Sequence, residues 1–196
     1  VINQTDRLTR LVDNMLGPNR KPTFELLNIH IPIENVFTLV SRDPDMQTIV
    51  MNRDFDPSIP EIFIDSYLLE QGILNLIKNA KESLLEDKTT KPEITVGTRI
   101  LHQVYIGQNK ESAVCKISVE DNGPGIPEEL KESIFFPMIS GKQKGSGLGL
   151  SITQGIVSQH KGTIRFSSSS KKTEFLILIP IHKYRSTKNY LKTENG

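Results

Sequence analysis

An aspartate between a predicted strand and a glycine-proline turn constrains this chain more than any other feature. The preceding run, residues 113–120, alternates apolar and polar side chains and predicts a half-buried β-strand ending at Asp121. The turn that follows contains Gly123 and Gly125, which let a flat ring approach the backbone. An ionised carboxylate only accepts hydrogen bonds, so it suits the exocyclic amine of a purine such as adenine. A plain strand-to-helix turn explains the same residues equally well.

A second glycine-rich segment lies further along the chain and opens a predicted helix over residues 147–160. Gly145, Gly147 and Gly149 occupy every second position and run into apolar residues at helical spacing. A helix N-terminus offers free backbone N–H groups, so this arrangement suits a phosphate. The alternative is a flexible hinge. The segment lacks the Gly-Lys-Ser/Thr ending of a P-loop. It also does not follow a strand directly, as the glycine motif of a dinucleotide-binding fold does, so both of these common nucleotide sites are disfavoured.

A third element is the helix predicted over residues 66–86, directly after Asp65. Its apolar residues form one stripe, while Asn75 and Asn79 are one turn apart on a neighbouring face. Asparagine is a mediocre helix former, so this pair suggests a function. Stacked amide oxygens can hold a hard cation such as Mg²⁺, which prefers oxygen ligands that include substrate phosphates. Alternatively, the amides are solvated or satisfy each other.

In their order along the chain, the asparagine helix, the Asp121 turn and the second glycine segment resemble the ATP-binding domain shared by sensor histidine kinases, gyrase-type topoisomerases, chaperone ATPases and mismatch-repair ATPases. The resemblance covers roughly residues 24–181 and includes Phe135-Phe136-Pro137, which is similar to the phenylalanine motif before the family's ATP lid. It implies an α+β fold, a two-layer α/β sandwich in which a mixed sheet carries helices on one face. It also implies ATP and Mg²⁺ as cofactors.

The same resemblance implies which residues contact the nucleotide and the metal. The implied ATP contacts come from the asparagine helix, both glycine segments, the lid and the last strand pair: Asn75, Lys78, Asn79, Asp121, Gly123, Gly125, Ile126, Phe135, Phe136, Lys142, Lys144, Gly145, Gly147, Leu148, Gly149, Leu150 and Thr173. The implied metal ligand is Asn79, with Asn75 assisting. Lys142 and Lys144 equally fit a solvated loop, and Thr173 equally fits simple β-propensity.

Position 75 separates the branches of the family. The ATPases, and the serine kinases related to anti-sigma factors, normally carry a glutamate there as general base. Asn75 cannot accept a proton, so the resemblance implies a site that holds Mg-ATP for a nucleophile supplied by another domain, as in histidine kinases. An ATPase or serine kinase of the same fold is one alternative, and a non-catalytic nucleotide-binding docking module is another.

The beginning of the chain predicts an amphipathic helix over residues 1–16, which Gly17 and Pro18 end. Its apolar seam needs a partner surface. The segment resembles the second helix of the dimerisation and phosphotransfer hairpin of kinase dimers, although a helix docked on its own domain is the alternative. The expected division is a partial hairpin, a linker, an ATP-binding domain and a polar tail, at residues 1–17, 18–25, 26–182 and 183–196.

Four segments narrow the resemblance to nitrogen-regulation sensor kinases of the NtrB type, namely residues 7–18, 53–60, 119–127 and 135–141. This implies a cytoplasmic transferase of a two-component system that phosphorylates an NtrC-type response regulator. It also implies control by a PII signal protein and a homodimer formed through the hairpin. The phosphoacceptor motif His-Glu-x-x-Asn-Pro is missing, and each histidine is expected to be structural: His30, His102, His160 and His182. We therefore expect a fragment whose phosphoacceptor lies outside this chain.

One departure concerns the basic residue that some histidine kinases aim at phosphate from position 82. This chain has Glu82 there, so Lys78 or Lys81 would have to serve, or no residue does. The remaining patterns predict strands and helices of ordinary length. The predicted strands are residues 26–31, 47–54, 93–105, 112–120, 162–168 and 173–180, and the other predicted helices are residues 32–42 and 127–133.

Composition excludes several functional classes. The net charge of +1 and the lack of long basic runs argue against a nucleic-acid or membrane-surface binder. No apolar run is long enough to span a membrane. The single cysteine, Cys115, excludes an internal disulfide and a cysteine metal cluster.

Overall fold

A five-stranded mixed sheet forms one layer of the structure, a computed structural model that describes residues 21–139 and 147–181. The strands of the described residues are β1 Glu25–Leu27, β2 Val50–Asp54, β3 Ile62–Ile64, β4 Glu93–Ile106, β5 Asn109–Asp121, β6 Thr163–Ser169 and β7 Lys172–Pro180. The large sheet has the order β2-β4-β5-β7-β6, while β1 and β3 form a separate antiparallel pair. Strands β2 and β4 are parallel, and the other neighbours in the large sheet are antiparallel.

Helices form the second layer. The α-helices of the described residues are α1 His30–Val40, α2 Ser66–Glu86 and α3 Gly149–Gln159. Helix α2 begins where the carboxylate of Asp65 accepts a hydrogen bond of 3.0 Å from the backbone N–H of Leu68. The prediction of a mixed sheet with helices on one face is confirmed. None of the helices in the described residues is both long and apolar enough to cross a lipid bilayer.

The core lies between these layers, because alternate residues of the central strands face the helices. On β5 these residues are Cys115, Ile117 and Val119, all buried. Burying each large aliphatic side chain contributes about 1.5–3 kcal/mol. Burial also raises the pKa of the Cys115 thiol to about 12. A side-chain contact also joins two strands that are not neighbours in the sheet. The guanidinium of Arg165, on β6, donates a hydrogen bond of 3.1 Å to the carbonyl of Tyr105, near the end of β4.

Asp65 also joins the first described residues to α2 and α3. Its carboxylate accepts a hydrogen bond of 2.6 Å from the backbone N–H of Thr23. Its own N–H donates to Nε2 of His160, just after α3, at 3.1 Å. Nδ1 of His160 lies 2.8 Å from the Ile156 carbonyl, which can only accept, so the ring is held as the neutral tautomer with its proton on Nδ1. Desolvation by burial lowers the pKa of His160.

The first part of the chain differs from its prediction. The apolar run 29–31 looked like a strand, but β1 ends at Leu27 and His30 begins α1. The burial of residues at helical spacing explains the difference: Ile33, Val36, Phe37 and Val40 face the core.

Two other predicted elements are shorter than expected, and one strand was missed. The predicted strand 47–54 begins at Val50, because a 3₁₀ helix occupies Pro44–Thr48. Asp43 caps that helix by accepting a hydrogen bond of 3.0 Å from the Asp45 N–H. The predicted helix 127–133 is a single 3₁₀ turn, Glu128–Leu130. Strand β3 was not predicted, since so short a strand carries little periodicity.

Candidate nucleotide-binding site

A cavity of about 510 Å³ lies between α2, the turn after β5 and the start of α3. Most of the predicted ATP contacts line it: Asn75, Lys78, Asn79, Asp121, Gly125, Ile126, Gly147, Gly149, Leu150 and Thr173. The structure thus brings together both glycine segments and the asparagine helix, which are far apart in sequence. This volume is in the range of small-molecule sites.

The carboxylate of Asp121 is held in a defined orientation at one end of the cavity. Asp121 is buried, and its Oδ1 accepts a hydrogen bond of 2.9 Å from the Gly123 N–H. Gly123 itself does not line the cavity; a Cβ there would lie 2.8 Å from the same oxygen. The absence of a side chain at Gly123 therefore makes room for the carboxylate.

The turn after β5 packs against the β6–β7 hairpin. Gly125 has φ of +85°, and a Cβ at this position would collide with the backbone carbonyl of Ser169. One residue later, the N–H of Ile126 donates to Oγ of Ser168 at 2.7 Å. These contacts fix how closely the turn approaches the sheet at the Asp121 end of the cavity.

Asn75 and Asn79 line the cavity from α2. Nδ2 of Asn75 lies 3.3 Å from the carbonyl oxygen of Gly149, at the start of α3. A carbonyl only accepts, so the amide nitrogen faces α3 and the amide oxygen faces elsewhere. This orientation fits a hard cation, because it leaves Oδ1 as the remaining coordinating atom of Asn75. Asn79 lines the same cavity one helical turn further along.

The predicted phenylalanine contacts lie beside the cavity rather than on its wall. The ring of Phe135 packs edge-on against Phe166 and Phe175, with centroid distances of 6.0 and 6.5 Å. Phe136 is 62% exposed, and Leu148 is buried. Phe135 is therefore held in the core shortly before the predicted lid. The cavity wall does not include Phe135, Phe136 or Leu148.

The described residues on either side of the predicted lid are hydrogen-bonded to each other. The N–H of Met138 donates to the Gly147 carbonyl at 3.0 Å. Gly147 has φ of +67°, and a Cβ there would lie 2.6 Å from the carbonyl carbon of Met138. Gly147 is thus required both by its conformation and by the close approach. The predicted contacts Lys142, Lys144 and Gly145 lie outside the described residues.

The structure separates the two lysines that could replace a basic residue at position 82. Nζ of Lys81 lies 2.8 Å from Oδ2 of Asp43 and 3.5 Å from Oδ2 of Asp45. The hydrogen bond with Asp43 raises the pKa of Lys81. Lys81 does not line the cavity, whereas Lys78 and Glu82 do. Lys78 is therefore the one of these two lysines that lies at the cavity.

Several cavity residues were missed by the sequence predictions. Ser83 follows Asn79 by one helical turn, and Phe175 follows Thr173 by two positions on β7, so helical and strand periodicity could have found both. Leu130 and Ile134 also line the cavity, but no sequence pattern distinguishes them from ordinary core residues.

The histidines of the described residues lie away from the cavity. Nε2 of His30 lies 3.0 Å from Oγ1 of Thr98, and burial lowers the pKa of His30. His102 is exposed, with Nδ1 3.3 Å from the Ser112 carbonyl, and His160 is buried between α2 and α3. None of these three lines the cavity, and His182 lies outside the described residues.

Curated relatives match almost the whole chain. It is 41% identical to the sensory histidine kinase/phosphatase NtrB of Vibrio alginolyticus over 92% of its own length and 51% of the relative. It is 42% identical to the protein of the same description from Escherichia coli O157:H7, over 93% of this chain and 51% of the relative. The chain therefore spans about half the length of the curated relatives it matches.

Solved structures share the fold. The catalytic domain of histidine kinase ThkA is 28% identical, with a TM-score of 0.66 over 81% of this chain and 96% of that domain. ThkA in complex with the response regulator protein TrrA gives 25% identity and a TM-score of 0.68, over 92% of this chain and 49% of that one. Residues 64–183 match the family described as histidine kinase-, DNA gyrase B-, and HSP90-like ATPase. The chain belongs to this ATPase family.

Proposed function

We propose that this chain is the ATP-binding catalytic part of an NtrB-type sensor histidine kinase. It binds Mg-ATP and transfers the γ-phosphate to a histidine outside the chain. The observation that carries this proposal is the amide of Asn75 at the wall of the cavity, with its nitrogen against the Gly149 carbonyl. An amide cannot take a proton from water, so the site holds ATP without supplying the base that an ATPase needs.

The two ends of the cavity have different tasks. At one end, the Asp121 carboxylate accepts a hydrogen bond from the exocyclic amine of adenine. At the other end, Gly149 begins α3, whose first N–H groups and dipole favour the negative phosphates. Lys78 adds a positive charge on the same wall. Phe135 anchors the start of the lid in the core. Lys142 and Lys144, which lie outside the described residues, are the proposed phosphate contacts of the lid.

Asn79, assisted by Asn75, is the proposed holder of Mg²⁺. The amide oxygens, together with phosphate oxygens, supply the kind of ligands that this cation prefers. When bound, Mg²⁺ neutralises charge on the phosphates. Asn75 keeps its oxygen directed away from α3 because its nitrogen is committed to Gly149.

The proposal extends to the pathway and to the domain boundaries. We assign residues 1–17 to a dimerisation hairpin, 18–25 to a linker, 26–182 to the ATP-binding domain and 183–196 to a tail. The phosphate passes from the hairpin histidine to an NtrC-type response regulator, and a PII signal protein controls the cytoplasmic homodimer. Support comes from the NtrB relatives, which are sensory histidine kinases/phosphatases, and from ThkA, which has been solved in complex with a response regulator.

The test is phosphoryl transfer in trans. The chain and ATP labelled on the γ-phosphate are added to a kinase hairpin that lacks its own ATP-binding domain. We expect acid-labile, base-stable phosphate on the hairpin, and no transfer when its histidine is replaced. Steady release of inorganic phosphate without a hairpin would instead identify an ATPase. Binding of ATP with neither reaction would identify a docking module.

A further inference from the structure

Ser168 connects two walls of the cavity at the Asp121 end without lining the cavity itself. Its Oγ accepts the hydrogen bond of 2.7 Å from the Ile126 N–H, on the turn after β5. The same oxygen lies 3.4 Å from Oγ1 of Thr173, on β7. Both Ile126 and Thr173 line the cavity, so one hydroxyl group touches both walls.

The position of Ser168 on β6 makes this contact specific to one serine in a serine-rich segment. Ser168 is half-buried, whereas its neighbours Ser167 and Ser169 are exposed. Ser167 and Ser169 point to the opposite side of the strand, because successive side chains alternate. The backbone supports the contact, since Gly125 approaches the Ser169 carbonyl too closely for a side chain.

The donor and acceptor capacities of these groups decide in which direction the hydrogen bonds run from Ile126 through Ser168 to Thr173. The Ile126 N–H can only donate, so Ser168 Oγ accepts there and keeps its own proton for another partner. Thr173 Oγ1 is within reach of that proton. When Ser168 donates to Thr173, the Thr173 proton is directed to a different acceptor, on the side of the cavity that Thr173 lines.

Adenine presents an amine donor beside a ring-nitrogen acceptor, whereas guanine presents an acceptor beside a ring N–H donor. Asp121 only accepts, and Thr173 with its proton free for the cavity donates, so the pair complements adenine. We propose that Ser168 is a positioning residue that orients Thr173 and Ile126 and thereby favours adenine over guanine nucleotides. This inference rests on the proposed binding of ATP by the same cavity.

The test measures the dissociation constants of Mg-ATP, Mg-GTP and inorganic tripolyphosphate by calorimetry. For Ser168→Ala we expect about tenfold weaker binding of ATP, since a hydrogen-bond network is lost and the Ile126 N–H is left unpaired. We expect a smaller ratio between the ATP and GTP affinities and an unchanged affinity for tripolyphosphate. The separate variant Ser168→Thr should keep the ATP-to-GTP affinity ratio of the unmodified chain, because it keeps the hydroxyl. Ser167→Ala, one residue away and exposed, is the matched control and should change nothing.

A merely structural role would give a different result. Equal weakening of ATP, GTP and tripolyphosphate, or an unchanged ATP-to-GTP ratio, would overturn the inference while leaving the proposed function intact. If the unmodified chain bound no ATP, the proposed function and this inference would fall together. Should Ser168→Ala not fold, Ser168→Cys retains the size of the side chain with a weaker donor and must show the same narrowing of the ratio.

Discussion

Asp121 and Thr173 are directly opposed on the neighbouring strands β5 and β7, and both side chains are buried where the strands meet the cavity. Side chains at opposed positions of an antiparallel pair are close neighbours on one face of the sheet. The carboxylate and the hydroxyl therefore lie on one surface, the proposed adenine contact, whose spacing is set by backbone hydrogen bonds. A rigid sheet is a better support for such a surface than a loop.

The first prediction concerns the charge of Asp121. Asp121→Asn should weaken ATP binding about 10- to 100-fold, because a hydrogen bond to a charged group contributes roughly 1.5–3 kcal/mol. The asparagine oxygen can still accept from the Gly123 N–H, so the melting temperature should change little. Calorimetry with ATP measures the effect. An affinity equal to that of the unmodified chain would exclude Asp121 as the base-reading group.

The second prediction concerns the metal. Asn79→Ala should remove the dependence of nucleotide affinity on Mg²⁺, because the proposed ligand oxygen is lost. Alanine is a better helix former than asparagine, so α2 should keep its stability. Titrations of ATP with Mg²⁺ and with a chelator give the dependence, and circular dichroism checks the helix. A variant that kept its full dependence on Mg²⁺ would show that Asn79 is not a ligand.

The third prediction compares two lysines on α2. Lys78→Ala should weaken ATP binding several-fold, with a smaller effect at high salt, because Lys78 acts on phosphate as a screened charge. Lys81→Ala should leave ATP affinity unchanged, since Lys81 is paired with Asp43 away from the cavity. Calorimetry at two ionic strengths distinguishes them. The reverse result would place the phosphate contact on Lys81.

The fourth prediction concerns pH and His160. Burial lowers the pKa of His160, so the unfolded chain takes up a proton at higher pH than the folded chain does. The stability from neutral His160 is therefore complete above the ordinary pKa of 6.5 and is lost as pH falls below it. Urea unfolding between pH 8 and pH 5 should show this decline.

The matched variant for this test is His160→Gln, whose amide oxygen can accept from the Asp65 N–H but does not titrate. Its free energy of unfolding should fall less steeply over the same pH range. His30 also has a pKa lowered by burial, but it is present in both proteins, so the difference in slope reports His160 alone. Parallel pH profiles would show that His160 does not titrate with unfolding.

The elements with strong periodicity could be predicted from the sequence. Helix α2 was predicted over residues 66–86 and spans Ser66–Glu86, because an apolar stripe follows a capping aspartate. The predicted strands 93–105, 112–120, 162–168 and 173–180 match β4, β5, β6 and β7 to within three residues at each end. The gathering of asparagines and glycines around one cavity was expected only through the family resemblance, since spacing alone left both interpretations open.

The rest depends on contacts that local patterns do not encode. The run Ile29-His30-Ile31 is apolar enough for a strand, yet the buried residues that follow it place His30 in α1. The pairing of Lys81 with Asp43 joins residues far apart in sequence, so the choice between Lys78 and Lys81 needed the structure. Ser168 lies among other serines, and only the strand register shows which of them faces the cavity wall.

The hydrogen bond between Met138 and Gly147 has a consequence for how this domain tolerates change. It holds residues 138 and 147 against each other across an interval of eight residues in the sequence. The entropic cost of joining two fixed points grows slowly with the number of residues between them, at about 0.6 kcal/mol for each doubling. We therefore expect that the predicted lid can be replaced without unfolding the domain. Lids of other lengths and sequences could be transplanted between Met138 and Gly147 while the sheet and helices keep their stability.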